Sequence, residues 1–213
     1  MGDDQQGRLL DGCVALNITI ADERVALLTA YQTLLLRWNQ TYNLIGERTQ
    51  ADIASVHILD SLSVLPYIRG QRVLDVGTGA GLPGMILAIA APELHVTLLD
   101  SAMKRCRFCR QASIELGLRN VSVSHCRVQD FSASQRYSTV VSRAFSSLRT
   151  LIAATSHLLK DGGRVIAMKG VLPAELDGPE ASGDNTTVVP VDVPGLNAER
   201  HLVIVDQPRA VDD

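Results

Sequence analysis

The ten residues Asp75 to Gly84 read DVGTGAGLPG, four glycines behind an apolar run that begins RVL. A glycine-rich turn between a strand and a helix lets backbone approach a ligand closely and aims the free amides of the helix start at it. Gly77, Gly79 and Gly81 supply that approach, and Pro83 suits a first helical turn, which puts the helix start close to Leu82. The next apolar run, HVTLLD, ends in Asp100. That is about 20 residues beyond the loop, where a carboxylate reaches the two ribose hydroxyls of an adenosine moiety. A dinucleotide dehydrogenase and an S-adenosylmethionine enzyme both fit this far.

Three details separate them. The spacing G-x-G-x-G followed by L-P-G departs from G-x-G-x-x-G, whose last glycine lets the helix pack beneath a pyrophosphate. Asp75, just before the loop, would repel pyrophosphate but could help hold a cationic amino-acid moiety, directly or through water. Two strands at the end of the chain pair as a hairpin, which the methyltransferase sheet requires. No Tyr-x-x-x-Lys or comparable hydride-transfer set is evident either. A tight turn with no ligand is the bland reading of the loop alone, and Asp100 weighs against it.

The acceptor side is marked by VVSRAFSS, Val140 to Ser147, at the tip of the fourth strand. It holds no D/N-P-P-Y/F segment to grip an exocyclic amine and no Pro-Cys to attack a pyrimidine ring. Arg143 and Phe145 stand there instead. An acceptor that is already nucleophilic, such as N7 of guanine, needs neither a base nor a covalent catalyst. Arg143 and Lys169 both follow buried-looking strands at the carboxyl edge and read as groups that position the acceptor. Lys104, Arg107 and Arg110 make a stripe on the helix after Asp100, with Arg105 beside it. The stripe reads either as an RNA-binding surface or as a solvated helix face. Net charge is −3, so the chain as a whole is no basic nucleic-acid coat. His57 and Asp60, one helical step apart, suit a structural tie between the helical segment and the sheet, since N7 methylation has no proton to remove. Trp38 and Tyr42 fall at core-like helical spacing and read as packing residues.

The elements that must position these groups fall into two parts. A chain of 213 residues with 46% hydrophobic content builds one sizeable core and an appendage. Residues 1–68 read as a helical extension, with capping-box spacings at Thr19 to Asp22 and Thr49 to Asp52 and a stop at Pro66. Residues 69–210 alternate short β-branched runs with helix-length segments, which predicts an open, mainly parallel sheet. TTVVPVDVPG and ERHLVIVDQ have no helix between them and should pair as a hairpin that leaves one antiparallel edge strand. VLPAELDGPEASGDN, between the preceding strand and this hairpin, reads as a mobile surface segment. Together these give an α/β class, Rossmann-like, with an N-terminal helical extension.

Four cysteines do not make a disulfide framework in a chain of this size, and Cys106 and Cys109 read as incidental helix thiols rather than a metal or redox site. The start carries no signal peptide and no stretch is long and apolar enough to span a membrane, so the expected compartment is the cytoplasm.

WNQTYNLIGERTQ, HILDSL, RVLDVGTGAGLPG, VTLLDSAMKRCRF, SRAFSSL, GGRVIAMKG and ERHLVIV, in this order, resemble the bacterial small-subunit ribosomal RNA guanine-N7 methyltransferase family, RsmG, formerly called glucose-inhibited division protein B. The resemblance runs from about Ala30 to Val205, and its blocks are specific in combination. It implies a class I S-adenosylmethionine-dependent methyltransferase that acts on N7 of one guanine in the 530 loop of 16S rRNA. The expected partner is 16S rRNA or the small ribosomal subunit, and the expected state is a monomer without metal. By motif, Gly77, Leu82, Val128, Gln129 and Arg143 line the cofactor site, with Gly79 in the same loop. By the general class I pattern, Asp100 holds the ribose and Asp75 lies near the methionine end. Lys104, Arg105, Arg107, Arg110 and Lys169 are the RNA-binding set. Ile45, Val56 and Gln129 depart from the usual family residues. A methyltransferase acting on a small molecule or protein, and a noncatalytic adenosine-binding ribosome assembly factor, remain as alternatives.

Overall fold

The structure, a computed structural model, describes residues 2–46, 54–143, 147–171 and 185–208. The extension opens with α1 (Gly2–Ala15) and α2 (Asp22–Tyr42). In α2 the periodic Val25, Leu28, Tyr31 and Leu35 are buried, as their three- and four-residue spacing demands. Thr19 does not cap it: Ala21 stands at the cap without a side-chain bond, and Asp22 and Glu23 instead place negative charge in the first turn. The helix ends where Asn43 takes a positive φ of 50°, and Asn39 Oδ1 then accepts the Ile45 amide at 2.8 Å, turning the chain back.

Thr49 and Asp52 lie outside the described residues. The segment after them is wound as a π-helix over Ala54–Leu59 and becomes α only for the turn α3 (Asp60–Leu62). A short 3-10 turn, Leu65–Tyr67, carries Pro66.

The sheet holds β1 (Arg72–Val76), β2 (His95–Asp100), β3 (Val121–His125), β4 (Tyr137–Ser142), β5 (Leu159–Lys169), β6 (Thr186–Pro190) and β7 (His201–Asp206). Its order is β3-β2-β1-β4-β5-β7-β6. The first five strands are parallel, and β7 runs antiparallel to both β5 and β6. The expected antiparallel strand is thus β7, and β6 covers its outer side, so it stands one place in from the edge. Helices α4 (Gly84–Ala90), α5 (Met103–Glu115) and α6 (Leu148–Thr155) connect the parallel strands. Helix α4 begins two residues later than expected, at Gly84.

Apolar residues fill both faces of the sheet. Leu151, Leu158, Val140 and Val165 pack on the α6 side. On the other side Leu28, Tyr31 and Leu35 of α2 share one cluster with Met85, Ile86 and Phe108 of α4 and α5. The extension therefore completes the core of the sheet. The packing brings α2 and the π-helical segment up to the carboxyl ends of β1, β4 and β5. The segment of residues 172–184, read from sequence as a mobile surface stretch, lies outside the described residues. Among the described residues no helix is long and apolar enough to cross a membrane.

Candidate functional site

The glycine loop leaves β1 and is fixed on every side. Gly77, Gly79 and Gly81 take positive φ values of 72°, 61° and 89°, open to glycine at no steric cost. The amides of Gly77 and Thr78 both donate to the Leu99 carbonyl of β2, at 2.8 and 3.1 Å. Asp75 is fully buried, and its Oδ2 accepts from the Thr78 hydroxyl at 2.6 Å and from the Gly84 amide at 2.8 Å. A Cβ on Gly84 would stand 2.7 Å from that Oδ2 and would meet the Leu98 side chain, so only glycine lets α4 start this close to β1. Asp75 Oδ1 has no hydrogen-bond partner. Burial pushes the Asp75 carboxyl up to about 6, against the pull of the Thr78 and Gly84 bonds and the Arg143 charge.

Two further contacts reach the loop from the helices. The Tyr31 hydroxyl of α2 donates to the Ala80 carbonyl at 2.7 Å. The Cys109 thiol of α5 lies 3.7 Å from the Gly79 carbonyl. Burial raises the pKa of Cys106 and of Cys109, so both stay protonated and unreactive near neutral pH.

Asp100 ends β2 with its side chain buried. Oδ2 accepts the Gly79 amide at 2.9 Å and Oδ1 accepts the Ala102 amide at 2.8 Å, while Arg105 Nη1 stands 3.5 Å away. The Gly79 amide, expected to face a ligand, is thus held by Asp100. A carboxylate has about four acceptor sites, so Asp100 keeps capacity for hydroxyl donors. Beside it opens a cavity of about 350 Å³ lined by Gly77, Asp100, Ser101, Arg105, Val128 and Gln129 among others. The sequence-predicted Gly77, Asp100, Val128 and Gln129 therefore meet in one place, the last two on the 3-10 turn Val128–Asp130. Asp75, Gly79, Leu82 and Arg143 do not line this cavity: Asp75 and Leu82 are buried behind the loop, and Arg143 stands just past the end of β4.

The basic stripe divides. Arg105, read from sequence as an RNA contact, borders the cavity with Asp100. Lys104 donates to the Tyr42 carbonyl at 3.2 Å, and Arg110 reaches the Val123 carbonyl at 3.4 Å. Both, with Arg107, remain exposed. Trp38 stacks on Tyr42 with centroids 5.1 Å apart and meets Phe108 edge-on at 5.6 Å, a packing arrangement.

A second cavity, about 290 Å³, opens at the tips of β4 and β5 between Val56, His57, Asp60, Arg143, Met168, Lys169, Gly170 and Arg200. Arg143 Nη1 donates to His57 Nδ1 at 3.2 Å, so the ring proton sits on Nε2, which is buried without a partner. Burial, then Arg143 and Arg200, lower the His57 pKa to about 4. Asp60 Oδ1 accepts Arg200 Nε at 3.1 Å and Oδ2 lies 3.8 Å from Arg143. Burial raises the Asp60 pKa and the two arginines oppose it. His57 and Asp60 thus tie the extension to the sheet. Burial also lowers the Lys169 pKa. Arg200, in ERHLVIV, was not read as a site residue; its basic charge just before a strand was the only signal. Phe145 lies outside the described residues, and no described cluster of His, Cys, Asp or Glu could hold a metal ion.

Known proteins share this architecture. The methyltransferase SibL superposes with a TM-score of 0.57 at 18% identity, covering 94% of this chain and 76% of its own. A methyltransferase from Aquifex aeolicus gives 0.54 at 17%, covering 75% and 95%. A ribosomal RNA small subunit methyltransferase G of Chromobacterium violaceum is 46% identical over 197 residues, 92% of this chain and 94% of that protein. Its counterpart in Neisseria gonorrhoeae is 45% identical over 206 residues, 96% and 99%. Fold and family are those of S-adenosylmethionine-dependent methyltransferases. The family model described as GidB, rRNA small subunit methyltransferase G, matches residues 24–203. With the glycine loop, Asp100, Arg143 and the cation-rich cavity all inside those residues, the chain belongs to the rRNA small subunit methyltransferase G family.

Proposed function

We propose that this chain transfers a methyl group from S-adenosylmethionine to N7 of one guanine in the 530 loop of 16S rRNA, acting as a monomer in the cytoplasm. The observation that carries the choice of acceptor is the chemistry of the second cavity. It gathers cations at the strand tips where an acceptor would lie, and its histidine and its carboxylate are both engaged. His57 has Nδ1 bound to Arg143 and a pKa near 4, and Asp60 is held by two guanidinium groups. An acceptor that had to lose a proton would find neither group free to take it. Guanine N7 has none to lose.

The first cavity suits the cofactor on its own evidence. About 350 Å³ falls in the range of small-ligand sites, and a Cβ on Gly79 would meet nothing nearer than the Gly77 carbonyl at 4.0 Å, so backbone there is open to close approach. Asp100 would take the ribose hydroxyls, Val128 and Gln129 the adenine, and Gly77 the chain between them. Asp75 and Leu82 act from behind, holding the loop in shape, and Gly79 leaves room at the loop for close approach. When bound, S-adenosylmethionine supplies an electrophilic methyl whose C–S bond breaks as the C–N7 bond forms, the sulfur keeping the electron pair. Arg143 and Lys169 would position the acceptor against the methyl group, and such positioning supplies most of the acceleration. Lys104, Arg107 and Arg110 would bind RNA farther out.

The test is methyl transfer from radiolabelled S-adenosylmethionine to small ribosomal subunits from cells lacking this protein, with mapping of the modified base. Label at N7 of a single guanine in the 530 loop is expected. Cofactor binding without label on subunits or free RNA would refute this reading.

A further inference from the structure

The second cavity holds more charge than the positioning of a neutral base requires. Among the described residues, Arg143, Lys169 and Arg200 face it with one carboxylate, Asp60, and the His57 ring between them is neutral. Its walls come from three distant stretches: the extension, the tips of β4 and β5, and the residue that leads into β7. It shares no lining residue with the cavity beside Asp100.

The two guanidinium groups are braced but not consumed. Arg200 bonds Asp60 through Nε and the Glu199 carbonyl through Nη1, and neither bond uses Nη2. Both Arg143 contacts use Nη1. Guanidinium and ammonium groups that converge in this way hold oxygens of phosphates or carboxylates. A methionine carboxylate carries its own ammonium one carbon away, so that moiety brings no net charge. A phosphodiester brings a full negative charge and matches a surplus of cations better.

We infer that this cavity is a phosphate subsite, in which Arg200 and Lys169, with Arg143 behind them, seat a backbone phosphate of the RNA next to the guanine being methylated. The inference rests on the RNA substrate proposed above. Asp60 is then a positioning residue, holding two guanidinium groups side by side.

The experiment is a fluorescence-anisotropy titration of a labelled RNA hairpin carrying the 530 loop with wild type, Arg200→Gln and Lys169→Gln at a series of salt concentrations. Calorimetric titration of S-adenosylmethionine accompanies it. Each phosphate contact to single-stranded RNA contributes about 0.7 to the slope of log affinity against log salt. Each variant should lose about that much slope, so that from about 50 to about 200 mM salt its affinity falls two- to threefold less than that of wild type. Cofactor affinity should stay within about twofold, well under the tenfold that 1.4 kcal/mol makes.

Unchanged slopes in both variants overturn the inference. So does weakened cofactor binding with unaltered RNA binding, which assigns the cavity to the methionine carboxylate. Arg200→Gln leaves Asp60 short of a partner, so thermal unfolding is recorded; if that variant does not fold, Lys169→Gln, which keeps the Asp60–Arg200 pair, decides alone. Wild type is assayed for methylation of small subunits in parallel. Label with unchanged slopes removes the subsite and leaves the proposed function standing, whereas no label removes both.

Discussion

Replacing Tyr31 by Phe removes one oxygen and leaves the ring among Phe108 and its neighbours. What is lost is the 2.7 Å bond from the hydroxyl to the Ala80 carbonyl in the middle of the glycine loop. Ala80 is 3% exposed, so water does not readily replace the donor. A buried acceptor left unpaired costs about 1–3 kcal/mol. The backbone of the loop can shift to recover part of this, which sets the expected loss of stability at roughly 1–2 kcal/mol. For a chain of this length that lowers Tm by roughly 2–8 °C. Burial raises the Tyr31 pKa, so the hydroxyl remains a donor through the neutral range and the effect does not depend on pH there. Because the bond holds the loop that would border the cofactor, S-adenosylmethionine affinity should fall by about threefold to tenfold, up to 1.4 kcal/mol. Urea unfolding and calorimetric titration of the cofactor measure the two effects. Wild-type stability together with wild-type affinity would refute the claim that the extension holds the loop.

The ends of the same loop yield two other tests, and the second cavity a third. Gly84→Ala drives a methyl toward Asp75 Oδ2 and the Leu98 side chain and should destabilise by about 1–3 kcal/mol in denaturant titrations; an unchanged midpoint would show that α4 is free to move away. The folded Asp75 carboxyl is raised from 3.8 to about 6, so the folded state binds the extra proton and its stability falls as pH rises between those values. Asp75→Asn escapes that loss, and its stability relative to wild type should improve by up to about 3 kcal/mol between pH 4 and pH 7 in urea titrations, where a pH-independent difference would contradict the burial argument. Arg143→Ala should lower turnover at least about tenfold, a loss of some 1.4 kcal/mol of transition-state stabilisation, while the circular dichroism spectrum is unchanged; full methylation by that variant would remove Arg143 from the site.

The glycine loop and the acid at the end of β2 were legible because both are local: one strand, one turn and one fixed spacing place them. The hairpin of β6 and β7 was legible for a similar reason, since no helix fits between the two runs. The first helix boundary misled because Thr19 has capping chemistry but the chain enters α2 three residues later, at Asp22. The basic stripe on α5 was legible only as a spacing. Its spacing puts Lys104, Arg107 and Arg110 on one side, but spacing says nothing of neighbouring carbonyls, and two of the three are drawn to them.

What the sequence determined by itself is the alternation of strands and helices, the turn that only glycines can make, and the type of cofactor such a turn admits. These follow from periodicity and backbone sterics within a few residues. Tertiary structure alone decided which side chains meet. Tyr31 lies 49 residues from Ala80, His57 lies 86 from Arg143, and Asp60 lies 140 from Arg200. No local pattern encodes such pairs. They form because the apolar face of α2 buries itself against α4 and α5, and that packing carries the polar residues of the extension to the strand tips.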